Sequence, residues 1–128
     1  MARKPLILAI DDDKNIRLLL ERALRDDYGV ITAQNGREGL DKVRSESPDL
    51  VLLDIMMPVL NGYEVCSEIR KDPIHGRLPV IMLTSKDAAR DEIKGLGTGA
   101  DYYMPKPFDL DELKARIRLI LGKKPPPV

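Results

Sequence analysis

Several residue types are scarce in this chain of 128 residues, which has no tryptophan, one phenylalanine, one histidine and one cysteine. The lone Cys66 cannot form an internal disulfide, and this favours a reducing, cytoplasmic compartment. Neither Cys66 nor His75 has neighbours at metal-ligand spacing, so a zinc site is not expected. No apolar run approaches the roughly 20 residues of a transmembrane helix, and the N-terminus lacks the pattern of a secretory signal.

An excess of charge of either sign is also absent, because 21 Lys and Arg side chains balance 21 Asp and Glu side chains. A chain without net positive charge lacks the field that drives direct binding to nucleic acid or to a membrane surface. The composition, 43% hydrophobic and 33% charged, is typical of a globular protein. The length suits one domain, predicted at 4–121, followed by a proline-rich tail or the start of a linker at 122–128.

Two kinds of segment alternate along the chain and predict its fold class. Short apolar runs rich in Val, Ile and Leu predict buried strands at 5–10, 29–33, 49–57, 79–84 and 101–104. Apolar residues at helical spacing predict five helices, at 14–27, 36–45, 62–71, 87–96 and 109–121. This alternation predicts an α/β protein with a doubly wound, five-stranded parallel sheet that carries helices on both faces.

The ends of several predicted helices carry capping residues. Asp13, Asp87 and Asp109 precede helices, where an Asp side chain can accept hydrogen bonds from free backbone N–H groups. Gly122 lies where the last helix is expected to end. Gly39 falls inside the second predicted helix, where glycine costs about 1 kcal/mol relative to alanine, and the sequence offers no reason for it.

Polar side chains follow the predicted strands at their carboxyl ends. Asp11 and Asp12 follow the first strand, and Asp54 interrupts the apolar run of the third. Thr84 ends the fourth strand, and Lys106 follows the fifth. Because the carboxyl ends of parallel strands share one edge of the sheet, we expect these groups to converge in one pocket. Carboxylates around a hard cation such as Mg²⁺, with a hydroxyl and an ammonium group, are the groups needed to transfer a phosphoryl group onto an aspartate.

Most of these residues also have a purely structural interpretation. Asp13 is better explained as a helix cap than as a ligand. Lys106 alone would be an ordinary solvated lysine, and Thr84 alone a strand residue whose hydroxyl bonds to the backbone. Asp54 is harder to explain in this way, because a charge inside an apolar run is rarely buried without a partner. The GxGxxA match at 95–100 closes a predicted helix and precedes a strand, so it does not predict a dinucleotide site.

Four segments of the chain form a combined motif: ILAIDDD at 7–13, VLLDIMMPVLNG at 51–62, PVIMLTS at 79–85 and GADYYMPKPF at 99–108. Together they resemble the receiver domain of bacterial two-component response regulators. They occur in the family's order and spacing, and their combination is far more specific than any one of them. The resemblance implies a flavodoxin-like fold with the strand order 2-1-3-4-5.

The resemblance implies a role for each acidic residue of the predicted pocket. Asp54 matches the phosphoacceptor aspartate of the family. Asp12 would bind Mg²⁺ directly, whereas Asp11 would act mainly through water. The third metal contact would be the backbone carbonyl of Met56, two residues past the acceptor. Mg²⁺ is therefore the cofactor that the resemblance implies.

The remaining site residues match the groups that handle the phosphoryl group and the switch. Thr84 matches the hydroxyl that contacts the phosphoryl group, and Lys106 matches the lysine that pairs with it. The Lys106–Pro107 bond is similar to the family's cis peptide bond, and Tyr103 matches the aromatic switch position. The implied phosphodonor is a phosphohistidine on a sensor histidine kinase or phosphotransfer protein. The implied recipient of the signal is a downstream output protein or domain, and phosphorylation could also promote a homodimer.

Two other functions are compatible with parts of this pattern. A Mg²⁺-dependent phosphohydrolase would pass through an aspartyl-phosphate on its way to hydrolysing an external substrate, but the DxDxT motif of its best-known form is absent around Asp54. An interaction module that has lost phosphorylation would not need the complete set of functional side chains. The resemblance favours a signalling domain that catalyses only its own phosphorylation and dephosphorylation.

Overall fold

The computed structural model of the chain describes residues 4–84 and 99–122, which form a five-stranded parallel sheet with helices on both faces. The strands are β1 Leu6–Ile10, β2 Gly29–Ala33, β3 Leu50–Asp54, β4 Val80–Thr84 and β5 Tyr102–Pro105. The helices are α1 Lys14–Leu24, α2 Gly36–Glu46, α3 Gly62–Lys71 and α4 Leu110–Gly122. The helix predicted at 87–96, with its cap Asp87, lies outside the described residues.

The strands lie in the order β2-β1-β3-β4-β5, and every neighbouring pair is parallel. This confirms the predicted strand order and fold class. The order reverses between β1 and β3, so the loops after these two strands flank a crevice at the carboxyl edge of the sheet. The residues that follow β1 and end β3 are therefore placed side by side.

The sheet divides the hydrophobic core into two layers. One layer packs against helices α2 and α3, and the other packs against helices α1 and α4. The residues of β3 and β4 are buried throughout, as the continuous apolar runs predict for central strands covered on both faces. A rigid, fully buried pair of strands thus carries Asp54 and Thr84 to the edge of the sheet.

The helix caps agree with the sequence where they were predicted. The Asp13 carboxylate accepts from the Asn15 backbone N–H at 2.8 Å, and the Asp109 carboxylate accepts from the Asp111 N–H at 2.8 Å. The sequence prediction had missed the cap of α3, where the Asn61 side chain accepts from the Glu64 N–H and the Glu64 carboxylate accepts from the Asn61 N–H.

The structure supplies the missing reason for Gly39. A Cβ atom at this position would lie 2.4 Å from Cδ1 of the fully buried Ile10, so a side chain there would force the Ile10 side chain of β1 to shift within the core. Helix α2 approaches the sheet closely at this residue, and glycine permits that approach without displacing Ile10. The cost in helix propensity is thus offset by packing of α2 against the strand that leads into the acidic loop.

Two predicted elements extend three residues past the C-terminal ends of the observed ones. The third apolar run was assigned to a strand over 49–57, but β3 ends at Asp54. Ile55 and Met57 remain buried in the loop that follows, so burial rather than strand pairing explains their apolar character. Helix α1 ends at Leu24 instead of residue 27, because the Asp27 N–H bonds to the Leu24 carbonyl three residues back and tightens the last turn. Within the described residues, no helix is long and apolar enough to cross a membrane.

Candidate functional site

The polar side chains that the fold buries lie at the carboxyl edge of the sheet. Among the residues that the structure describes, they are Asp11, Asp54 and Thr84, which are 0%, 4% and 1% exposed. Asp11 follows the last residue of β1, while Asp54 and Thr84 end β3 and β4. Charged and polar groups are rarely buried without compensation, so their concentration at one edge indicates a site rather than a packing detail.

Three carboxylates of this edge face a common point. Asp11, Asp12 and Asp54 each offer an oxygen atom, and these oxygens lie within 4.8 Å of one another. Two unit charges at about this separation repel by roughly 3 kcal/mol at an effective dielectric of about 20. An oxygen-only donor set of this kind fits a hard divalent cation, and Mg²⁺ in particular keeps several of its waters. The three acids could therefore hold a metal ion.

Lys106 connects the acids of two strands. Its Nζ donates to Asp11 Oδ2 at 2.8 Å and lies 3.3 Å from Asp54 Oδ1. The Lys106 backbone N–H bonds to the Thr84 carbonyl, and the Lys106–Pro107 peptide is cis. The loop after β5 thus brings one ammonium group against two carboxylates that lie far away in sequence.

The protonation of Asp54 is strongly perturbed. Burial raises its pKa from 3.8 to about 6, the negative charge of Asp11 adds to the rise, and Lys106 and the Met56 N–H oppose it. Burial alone would lower the pKa of Lys106, but its hydrogen bond to Asp11 and the charges of Asp11 and Asp54 outweigh burial and raise it. Asp54 is therefore ionised at neutral pH beside a protonated Lys106, and ionisation of Asp54 costs the fold stability.

Thr84 and Tyr103 lie on the same face of the sheet. Tyr103 pairs with Met82 in the register of β4 and β5, and Thr84 lies two residues beyond Met82 on the same strand. Residues two apart on a strand point to the same face. Tyr103 is half-buried and packs against the core layer that contains α2 and α3. The hydroxyl and the aromatic ring therefore lie in the same layer of the structure.

Asp13 and Met56 lie at the rim of the site. The Asp13 carboxylate is used as the cap of α1, as expected, and its backbone N–H donates to Asp11 Oδ1 at 2.9 Å. Met56 is 63% exposed, and its backbone N–H donates to Asp54 Oδ1 at 3.3 Å. The metal role of the Met56 carbonyl stays a prediction.

Sequence reasoning missed Gly62 as a supporting residue. A Cβ atom there would lie 2.6 Å from the backbone carbonyl oxygen of Asp54, and the Gly62 N–H donates to the Ile55 carbonyl at 2.9 Å. The start of α3 is thereby held against the end of β3, next to the acid. The Asn61–Gly62 pair after an apolar run was the available signal, because such pairs mark tight turns.

Comparison with known proteins identifies the class of this fold and site. Residues 7–118 match the response regulator receiver domain family. The chain belongs to that family and is a receiver domain of the two-component type, as its resemblance predicted. The site described above lies at the carboxyl edge of the sheet, where the sequence predicted that these polar side chains would converge.

Individual relatives support the assignment. The chain is 46% identical over 121 residues to the response regulator MprA of Mycolicibacterium vanbaalenii, with 94% of this chain and 52% of that protein covered. It is 47% identical over 118 residues to the alkaline phosphatase synthesis transcriptional regulatory protein PhoP of Bacillus subtilis, with 91% of this chain and 48% of that protein covered. The chain therefore spans about half the length of these curated relatives.

Solved structures show the same fold. A putative response regulator from Chloroflexus aurantiacus superposes with a TM-score of 0.89 at 34% identity, covering 94% of this chain and 100% of that one. The chemotaxis protein CheY4 of Vibrio cholerae superposes with a TM-score of 0.85 at 31% identity, covering 93% and 99% of the two chains.

Proposed function

We propose that this receiver domain accepts a phosphoryl group on Asp54 in a Mg²⁺-dependent reaction. The donor is a phosphohistidine on a sensor histidine kinase or phosphotransfer protein. The observation that carries this proposal is the position of Lys106, whose ammonium lies within 3.3 Å of both the Asp11 and the Asp54 carboxylates. An ammonium in this place can pair with the acids in one state and with a phosphoryl group in the next.

The acids supply the ligands that Mg²⁺ prefers. The Asp12 and Asp54 carboxylates and the Met56 carbonyl would hold the ion, with Asp11 acting mainly through water. When bound, Mg²⁺ neutralises charge on the oxygens of the transferring group. Asp12 is exposed whereas the other two acids are buried, so the site opens to solvent on the side of the β1–α1 loop.

The transfer itself needs few groups from the protein. An ionised oxygen of Asp54 attacks phosphorus, and the P–N bond of the phosphohistidine breaks with its electron pair passing to the imidazole. Lys106 donates to the oxygens on which charge develops, and Thr84 contacts the phosphoryl group. The attacking carboxylate of Asp54 is buried at the end of a central strand, so it is already held in place when the transfer begins, which lowers the barrier.

The signal leaves the site through the β4–β5 region. A phosphoryl group that draws the Thr84 hydroxyl inward vacates space, which the Tyr103 ring then fills, and the surface around β5 and α4 changes its partner preference. The partners are a downstream output protein or domain, with homodimer formation as a further consequence. We keep 4–121 as the extent of the receiver domain, 122–128 as its tail or linker start, and the cytoplasm as its compartment.

Mass spectrometry tests the phosphoacceptor directly. The chain is incubated with Mg²⁺ and acetyl phosphate, and we expect the mass of one phosphoryl group to be added, with EDTA abolishing the gain. Asp54→Asn should gain nothing, because the amide is not a nucleophile for this transfer. Asp13→Asn is the matched control, since asparagine also caps a helix and Asp13 has no proposed role in the transfer. An unchanged gain in Asp54→Asn would contradict the proposal, and turnover of a generic phosphate ester would favour a phosphohydrolase instead.

A further inference from the structure

The backbone and side chain of Asp11 are held on every side. Its N–H donates to the Ala33 carbonyl at 3.1 Å, and its carboxylate oxygens accept from the Asp13 N–H and from Lys106. Its carbonyl oxygen, the remaining polar group, accepts from Nη1 of Arg17 at 2.7 Å. Arg17 lies on α1 and is half-buried. A helix side chain thus completes the bonding of a residue in the acidic loop.

The carbonyl that Arg17 holds belongs to the peptide unit that joins Asp11 to Asp12. Because a peptide unit is planar, a hydrogen bond that holds its carbonyl oxygen also restricts the orientation of the Asp12 N–H in the same unit, and thus of the Asp12 backbone that follows. The backbone N–H of Arg17 donates to the Asp13 carbonyl at 3.1 Å, so the same residue ties the loop at both of its ends. Asp12, the exposed acid, lies between these two ties.

We propose that Arg17 is a positioning residue for the divalent cation site. It holds the Asp11–Asp12 peptide so that the Asp12 carboxylate stays within reach of Asp11 and Asp54 before a cation arrives. Without this hydrogen bond, mutual repulsion of the acids would open the β1–α1 loop. A cation would then have to close the loop as it binds, and this would lower its affinity. This role rests on the Mg²⁺ site of the proposed function.

The charge of Arg17 and its hydrogen bond have opposite effects on cation binding. If only the charge mattered, removing a positive group near the acids would strengthen Mg²⁺ binding. If the hydrogen bond positions the loop, removing it weakens binding, as loss of outer-shell partners of metal ligands generally does. The direction of the change therefore separates the two effects without reference to its size.

Calorimetric titration of the full chain with Mg²⁺ tests the proposal. We expect Arg17→Met to bind Mg²⁺ about tenfold more weakly than the wild type. Arg17→Lys keeps the charge but loses the planar fork of donors, so we expect it to bind more weakly than the wild type and more tightly than Arg17→Met. Arg22→Met removes an exposed arginine from the same helix and should leave the affinity unchanged. Equal or tighter binding by Arg17→Met overturns the proposal.

Two further measurements separate positioning from a general loss of structure. Thermal unfolding in EDTA shows whether each variant is folded at the temperature of the titration. If Arg17→Met is not folded, the Mg²⁺ affinity of Arg17→Lys is compared with that of the wild type instead. Equal affinities of these two chains would overturn the positioning role. At low Mg²⁺, Arg17→Met should be phosphorylated by acetyl phosphate more slowly than the wild type, and at saturating Mg²⁺ the two rates should be equal. A slower rate for Arg17→Met at saturating Mg²⁺ would contradict a positioning role. A wild-type chain that binds no Mg²⁺ would instead refute the proposed function itself.

Discussion

Among the described residues at the carboxyl edge of the sheet, Asp11, Asp12 and Asp54 lie close together, and the Lys106 ammonium pairs with Asp11 and Asp54. At the amino edge, by contrast, the guanidinium of Arg70 donates to backbone carbonyls and to one carboxylate. Burial at the first edge raises the pKa of Asp54, so ionisation of this acid costs stability there. At the second edge, hydrogen bonds from Arg70 satisfy backbone carbonyls before β4 and β5. The difference separates the part of the fold that we propose performs chemistry from the part that maintains the fold.

On the β4–β5 side of the amino edge, Arg70 of α3 contacts the segments that precede both strands. Arg70 donates to the backbone carbonyls of Gly76 and Leu78 before β4 and to the carbonyl of Gly99 before β5. Its Nη2 also lies 3.1 Å from the Asp101 carboxylate, which in turn accepts from the Val80 N–H. Arg70 therefore ties α3 to the starts of the two strands that deliver Thr84 and Lys106 to the other edge.

The largest effect is expected from removing this tie. Arg70→Met should lower the free energy of unfolding by about 3 kcal/mol, because several carbonyls and a carboxylate lose their donor at once. Chemical denaturation measures the change. The proposed phosphoacceptor, Asp54, lies at the opposite edge, so the yield of phosphorylated chain per folded molecule should stay at the wild-type value.

Arg44 provides the matched control for this substitution. Its Nε lies 3.9 Å from the Asp72 carboxylate and its side chain is 53% exposed, so Arg44→Met should cost less than about 0.5 kcal/mol. Equal losses in the two variants would show that the amino edge is not organised around Arg70.

A smaller effect is expected from the loop at the carboxyl edge. Val59 has a φ of 68° and is fully exposed, so a β-branched residue adopts a left-handed conformation there with little packing in return. Val59→Gly should raise the free energy of unfolding by about 1 kcal/mol, since glycine adopts this conformation without a steric penalty. Ile74→Gly is the comparison, because Ile74 is also exposed but is not among the positive-φ residues of the described chain. Stabilisation by both substitutions would argue against strain at Val59.

Much of the site was predictable because it depends on position along strands. Asp54 stood out as a charge within an apolar run, and Thr84 and Lys106 stood out by following strands of a parallel sheet. The location of a strand's carboxyl end requires only the period and length of the apolar runs. The strand order came from the resemblance to receiver domains, and the structure agrees with it.

Features that depend on the approach of distant elements could not be predicted. The sequence marked β3 as running past Asp54, because buried loop residues such as Ile55 look like strand residues. The close approach of α2 to β1 at Gly39 and the tie that Arg70 makes depend on how helices settle on the sheet. Such contacts follow from the packing of helices on the sheet, which the local pattern of apolar and polar residues does not predict.

The most direct test of the central claim is the pH dependence of unfolding for the wild type and Asp54→Asn, with and without Mg²⁺. Because the pKa of Asp54 is about 6 in the fold against an ordinary 3.8, the folded chain holds a proton that the unfolded chain releases between these values. In EDTA, this group should therefore cost the wild type about 3 kcal/mol as pH rises through that window.

Asp54→Asn should lack this cost and be more stable than the wild type at neutral pH in EDTA, while Mg²⁺ should stabilise the wild type more than the variant. We predict that the two pH profiles differ in this way and that Mg²⁺ narrows the gap at neutral pH. If the two pH profiles coincide and do not respond to Mg²⁺, the account is contradicted. Such a result would mean that ionisation of Asp54 costs the fold no stability and that Asp54 is not part of a cation site.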